Sequence, residues 1–298
     1  MPYLFLFISV INIGINFCIE KFYQKKLVKN SADIFLFQII VGVLTAFLFL
    51  CINGFSLKFS SFGFIMAGLY AAFCLYSVIG MIAVKYGKLS IYTMFLMIGG
   101  MLLPYIYAVL FLNETLNVCR IIGVILLVAS LCVNSLCADK KETVKTKNIF
   151  WFLCFLVFLL NGGVSIVSKV HQINVDALST NDFIIWCSLF KVVLSSLCYL
   201  CCFTKGKKSD SVEEKLKNIQ QKSTISFAAI SVVVSSLSTF LMLEAAKTIP
   251  ATAQYPIVTG GVTIITTLLA RLFFKEKLNS LQIFALCVMF LGTFLFVF

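Results

Sequence analysis

Residues 83–117 read AVKYGKLSIYTMFLMIGGMLLPYIYAVLFLNETLN, and residues 245–279 read AAKTIPATAQYPIVTGGVTIITTLLARLFFKEKLN. The two align without a gap. Ala83 meets Ala245, Lys85 meets Lys247, Gly99 meets Gly261, and Glu114, Leu116 and Asn117 meet Glu276, Leu278 and Asn279. Each copy starts beside a lysine, runs through about 20 mostly apolar residues, the length a helix needs to cross a bilayer, and stops at an acid followed by Leu-Asn. Apolar coincidence alone does not put charge, glycine and amide matches in one order, so the stretch is a duplicated membrane helix with its flanks.

The rest of the chain has the same character. Of 298 residues, 61% are hydrophobic and 12% charged, too little polar surface to cover a water-soluble globule. Ten runs are long enough to span: Tyr3 to Ile19, Ile34 to Cys51, Phe62 to Val84, Leu89 to Leu112, Val118 to Leu136, Ile149 to Ser168, Phe183 to Phe203, Ile225 to Leu243, Ala251 to Phe274 and Leu281 to Phe298. The alternation of a membrane β-barrel is missing, so backbone polar groups must be satisfied inside helices. The first run lacks the basic start and small-residue cleavage site of a signal peptide and is expected to stay as a helix. The fold class is therefore an all-α integral membrane protein of ten transmembrane helices.

A second alignment lies earlier in each half, where Asn12, Gly14, Asn16 and Asp33 meet Asn161, Gly163, Ser165 and Asp182. Residues 1–138 and 149–298 thus form two five-helix repeats joined by a linker, 139–148. Five is odd, so the second repeat enters the membrane from the opposite side, which makes the repeats inverted. Such halves exchange conformations, and substrate sites in proteins of this build lie near the midplane between them.

The net charge of +12 comes from loop lysines. Lys25, Lys29, Lys85, Lys140, Lys207, Lys215, Lys275 and others follow odd-numbered runs, whereas Lys58, Arg120, Lys169 and Lys247 are the main basic residues at the other ends. The positive-inside rule places the odd-numbered loops in the cytoplasm and both termini outside. The polar loops Ala138 to Asn148 and Thr204 to Thr224 read as cytoplasmic linkers, and membrane topology accounts for the basic balance without nucleic acid. The twelve cysteines sit mostly inside apolar runs, without metal or disulfide spacing, as small hydrophobic filler.

A Gly-Gly helix, then LNETLN or FKEKLN, then an apolar helix with Gly123 or Gly292, in both halves, resembles the drug/metabolite transporter superfamily and its ten-helix EamA-like branch. The resemblance covers essentially the whole chain. It implies export or exchange of a small metabolite through a central cavity lined chiefly by the first, third and fourth helices of each half. Each half also resembles a small multidrug resistance protein, whose first helix carries a coupling glutamate eight residues before a lysine. Here the corresponding positions hold Asn161 and Asn12, neutral amides in place of that carboxylate.

Candidate cavity residues are Asn12 and Asn16 on one face of the first helix, Asn161 and Ser165 on the sixth, and Lys191 inside the seventh. Tyr92, Gln254 and Tyr255, on the fourth helix of each half, complete the set. For the amides the alternative role is helix-to-helix hydrogen bonding. For Lys191 it is snorkelling to the nearer interface. Glu114 and Glu276 read as helix caps, Glu244 and Lys247 as a pair across one turn, and His171 as a loop residue. Gly99, Gly100, Gly260 and Gly261 are expected to let helices approach closely.

No hydrolase elbow, zinc-protease motif or membrane aspartate pair occurs, so no enzymatic role and no cofactor or metal are expected. The expected function is a secondary transporter of the cell membrane that exports or exchanges a small organic, amino-acid-like metabolite. Flipping of a lipid-linked headgroup and a passive channel stand as alternatives. The partners are the small-molecule substrate and the lipid bilayer, with the chain acting as a monomer.

Overall fold

The computed structural model describes residues 2–27, 31–84, 86–138, 148–205, 222–274 and 279–297. All regular structure among them is helical. The helices are α1 (Pro2–Leu27), α2 (Ser31–Ile52), α3 (Ser61–Phe73), α4 (Tyr76–Val84), α5 (Leu89–Phe111), α6 (Val118–Ala138), α7 (Asn148–Ile173), α8 (Thr180–Lys205), α9 (Lys222–Ala246), α10 (Ala251–Phe274) and α11 (Ser280–Phe294), which runs into a 3-10 turn at Leu295–Val297. Among the described residues nine spans are long and apolar enough to cross a membrane, with α3 and the start of α4 forming one of them, and α11 is a shorter apolar helix. Phe7, Phe47, Ile65, Leu110, Phe152 and Leu272 stand exposed around the bundle, as lipid-facing side chains must.

The third span differs from the single helix expected at Phe62 to Val84. Leu75 N–H bonds the Ala72 carbonyl and Ser77 N–H bonds that of Cys74, so the ladder tightens to three-residue steps and the helix breaks between α3 and α4. The Ser77 hydroxyl adds a bond to the Cys74 carbonyl at 3.0 Å. Neither proline nor glycine marks the break; a hydroxyl competing for a backbone carbonyl does.

Packing relates the two halves. α1 packs on α9 as the α3–α4 span packs on α7, α1 on α10 as α5 on α7, α2 on α9 as α3 on α8, and α5 on α6 as α10 on α11. α2 with α8, α5 with α10 and α6 with α11 pair across the halves. This pattern is consistent with two inverted five-helix repeats.

Two seams are set by glycine. A methyl group on Gly99 of α5 would lie 2.7 Å from the Phe158 Cα of α7, and one on Gly162 of α7 would lie 2.7 Å from the Gly99 carbonyl oxygen. In the other half, Gly261 of α10 faces Val10 of α1 and Gly14 of α1 faces Ile265 of α10. These contacts match Gly14 with Gly162, not with Gly163, so packing puts the first helices of the halves one position away from the sequence alignment. α6 and α11 close on Gly123 and Gly292, each opposite the other's carbonyl.

Gly99→Val should therefore drive α5 off α7 and lower the thermal unfolding midpoint by about 5 °C or more in detergent. Gly68→Ala, which meets Phe190 only at an ordinary 3.7 Å, should leave it unchanged. Equal midpoints for the two variants would show that the α5–α7 seam is not held by glycine.

Candidate functional site

A cavity of about 840 Å³ lies between α1, α2, α3, α4, α8, α9 and the start of α5. Its wall runs along α1 from Asn16 to Tyr23, along α2 from Ile34 to Thr45 and along α8 from Phe183 to Cys198. It thus occupies the C-terminal part of α1 and the N-terminal part of α2, next to the loops in which the sequence concentrates its lysines. Most of those lysines lie outside the described residues. The broken segment from Cys74 to Val78 forms part of the wall. Irregular backbone at membrane depth is tolerated where it faces a cavity.

These helices differ from the set that the resemblance implied. α2 and α8 line the cavity, and α7 and α10 do not. The glycine seams explain this: α7 is drawn onto α5 and α10 onto α1, leaving the open space on the side of α2 and α8.

The opposite end is closed by hydrogen bonds among the connections α2–α3, α5–α6, α7–α8 and α9–α10. Asp182, 1% exposed at the start of α8, accepts from Asn53 Nδ2 at 2.8 Å, Lys58 N–H at 3.2 Å and the Ser179 hydroxyl at 2.7 Å. The Ser60 hydroxyl donates to the Asp176 carbonyl at 3.1 Å and Trp186 Nε1 to the Lys58 carbonyl at 3.1 Å. Lys169 donates to the Ala246 and Ile249 carbonyls at 2.7 and 2.6 Å, satisfying the C-terminus of α9. Glu114 accepts from the Ala251 and Thr252 N–H groups at 2.8 and 2.9 Å. Glu114 is therefore a cap, but of α10 in the other half, not of the helix that follows it in sequence. Glu276 lies outside the described residues. Lys247 pairs with Glu244 at 2.6 Å, as their spacing suggests.

His171 departs from its expected place in a loop. It occupies the last turn of α7, fully buried, stacked on Phe183 at 3.7 Å, and its Nε2 accepts the Leu178 N–H at 3.2 Å. Phe183 is itself on the cavity wall, so this stack forms part of the floor beneath the polar seal.

The candidate residues divide into two groups. Asn16, Tyr92 and Lys191 line the cavity; Asn12, Asn161, Ser165, Gln254 and Tyr255 do not. Asn161 Nδ2 donates to the Leu96 carbonyl at 2.7 Å and the Ser165 hydroxyl to the Gly100 carbonyl at 3.3 Å, both bonds tying α7 to α5. The Tyr255 hydroxyl reaches the Ser165 carbonyl, and Gln254 Nε2 reaches that of Met242 at 3.0 Å. Asn12 is half-buried on α1 away from the cavity.

In the cavity, the Lys191 ammonium stands 4.8 Å from the centre of the Tyr70 ring. Among the described residues no carboxylate pairs with it. Placing a lysine at the bilayer centre costs about 3 kcal/mol on insertion scales. A desolvated cation–π contact returns about 2 kcal/mol. Asn16 donates to Glu20 Oε1 at 2.9 Å and accepts from the Ser231 hydroxyl of α9 at 2.8 Å. Glu20, next to Lys21, reads in sequence as the polar close of the first span. Its place one turn beyond Asn16 on the same face is the signal that puts it in the cavity.

A helical bundle that has, among the described residues, nine membrane-length spans and one shorter apolar helix, with a cavity near one end and a hydrogen-bonded seal at the other, has the build of a membrane transport protein. Residues 148–298 match the EamA-like transporter family. The chain belongs to that family, and so to the drug/metabolite transporter superfamily. One solved crystal structure, 12% identical, has the same fold with a TM-score of 0.72 over 99% of this chain and 95% of the other. No curated protein matches the sequence.

Asp182→Ala removes the acceptor of three bonds, each worth about 1.5–3 kcal/mol where a charge is involved. In a chain whose native cysteines are replaced by serine, Ile184→Cys should then react about tenfold faster with a membrane-impermeant maleimide added from the Asp182 end. An unchanged rate would mean that Asp182 does not hold that end shut.

Proposed function

We propose that this chain is a secondary transporter that exports or exchanges a small organic metabolite across a cell membrane by alternating access. The observation that carries this reading is the asymmetry of the cavity: polar side chains reach into it from α1, α8 and α9, while the Asp182 cluster joins the helix ends beyond its floor. A passive channel needs a continuous path, and a floor of Phe183 and His171 under a polar seal supports a gated carrier instead. The two-fold pattern of helix packing supplies the means, because an arrangement that closes one end in one half has a counterpart in the other. Family membership supports the class of activity. The lysine-rich end, which the cavity adjoins, is the cytoplasmic one on the positive-inside rule, so the described state faces inward.

Two experiments test this. Untargeted metabolite profiling of cells and medium should show one compound class moving outward with wild-type protein and not with Asn16→Ala; identical profiles with and without the protein would overturn the exporter reading. Ser60→Cys with Asp176→Cys, at positions joined by a 3.1 Å hydrogen bond, should form a disulfide that stops transport and releases it on reduction. Undiminished flux through the cross-linked protein would rule out opening at that end as a step of the cycle.

A further inference from the structure

The chain has one histidine, and it sits at the seal. His171 is fully buried beside two nearly parallel rings, with the Phe183 centroid 3.7 Å away and the Phe62 centroid 6.1 Å away. Its Nε2 accepts the Leu178 N–H at 3.2 Å. A neutral imidazole has one donor and one acceptor, so Nδ1 carries the proton. Nδ1 lies 3.3 Å from one end of the Gln172 side-chain amide, and the Thr180 hydroxyl lies 3.5 Å from the other end. The two ends of an amide exchange by a half-turn, and the one arrangement that serves Nδ1–H gives it the Gln172 oxygen and gives Thr180 the nitrogen. The Thr180 hydroxyl donates in turn to Glu244, which pairs with Lys247. With His171 neutral, a donor faces an acceptor at every link of this chain.

Leu178 is what the histidine holds. Its buried side chain fills a notch at Gly63 of α3 that a methyl group there would occupy, and the same connection bonds Ser60 through the Asp176 carbonyl. A second proton on the ring can go only to Nε2, where it sets N–H against N–H. The Leu178 bond is then lost, the Nδ1 bond to Gln172 is kept, and the cation lies against the faces of Phe183 and Phe62, which favour positive charge. The charged groups on the surrounding elements are Lys169 on α7, Asp176 on the α7–α8 connection, Asp182 on α8, Glu244 on α9, Lys247 on the α9–α10 connection and Lys58 on the α2–α3 connection. Among the described residues no carboxylate bonds the ring, and Glu244 reaches it only through Thr180 and Gln172. Resting on the alternating-access reading above, we infer that His171 is a proton-binding site: a proton from the medium at the sealed end forms the Nε2–H bond, displaces the Leu178 N–H and releases that end. The open state binds this proton more tightly than the closed one, so acid shifts the protein toward opening there.

Two measurements on the full-length protein in nanodiscs test this between about pH 8 and about pH 4, a range that brackets an ordinary histidine. One is the distance between spin labels on Phe55→Cys and Val175→Cys, in a chain whose native cysteines are replaced by serine. The other is the imidazole nitrogen NMR signal of protein labelled with 15N-histidine and made without a histidine tag, which reports His171 alone. At the alkaline limit the signals should show the Nδ1–H tautomer. On acidification Nε2 should gain a proton, and the population with the longer distance should grow about tenfold with the same midpoint. His171→Gln keeps an oxygen for the Leu178 N–H and does not titrate, so its distances should not respond to pH. Protonation of Nε2 with no change in distance, a change in distance at a different midpoint, or a response that persists in His171→Gln would overturn the inference, the last by assigning the response to a carboxylate such as Asp182. The first two comparisons retain the native histidine, so the decision stands even where His171→Gln fails to fold. Distances that shift with the transported compound but not with pH would also overturn the proton site, and would leave the alternating-access reading standing.

Discussion

The close contact of helices at glycine is the constraint on which the remaining architecture depends. In lipid no hydrophobic force draws one apolar helix to another, so association needs surfaces that approach closely enough for dispersion and backbone contact to act. Gly99 and Gly162 bring α5 against α7, and Gly14 and Gly261 bring α1 against α10. Both seams join one half of the chain to the other. With two helix pairs fixed in this way, bulky and hydroxylated residues on α2, α8 and α9 are left around space, and that space is the cavity.

The seal follows from a second requirement. Helix ends leave backbone donors and acceptors without intrahelical partners, and near the membrane these must be met by the protein. Glu114 meets the N-terminus of α10 and Lys169 the C-terminus of α9, while Asp182 gathers the α2–α3 connection onto α8. The same bonds that complete the helices therefore hold one end of the molecule together. Opening that end has a definite chemical meaning: these groups exchange protein partners for water.

Much of this was legible in the sequence, and the limits have physical causes. Apolar length gave the spans, because the bilayer imposes a thickness, and the Gly-Gly and acid-Leu-Asn matches gave the duplication. The break at Cys74 and Leu75 was not visible, since it arises from Ser77 bonding a carbonyl inside an uninterrupted apolar run. Glu114 was readable as a cap, but the helix that it caps starts at Ala251, and no local pattern identifies a partner so distant. Asn16 and Ser165 looked equivalent because few polar matches fixed the alignment. A slip of one position rotates a helical side chain by about 100°, enough to turn one of them to the cavity and the other to a neighbouring helix. Lys191 stood out because charge is rare at that depth, whereas Glu20 was hidden by its closeness to the end of the span.

Alternating access requires that the two ends of one cavity open in turn. Spin labels at Phe55 and Val175, both exposed on connections at the sealed end, and at Phe22 and Cys201, exposed near the lysine-rich end, report the two openings by double electron–electron resonance. Two populations are predicted, in which one pair lengthens as the other shortens, with their ratio shifting when the transported compound is added. A single unchanging distance at both ends, or lengthening of both pairs together, would contradict alternating access in this protein.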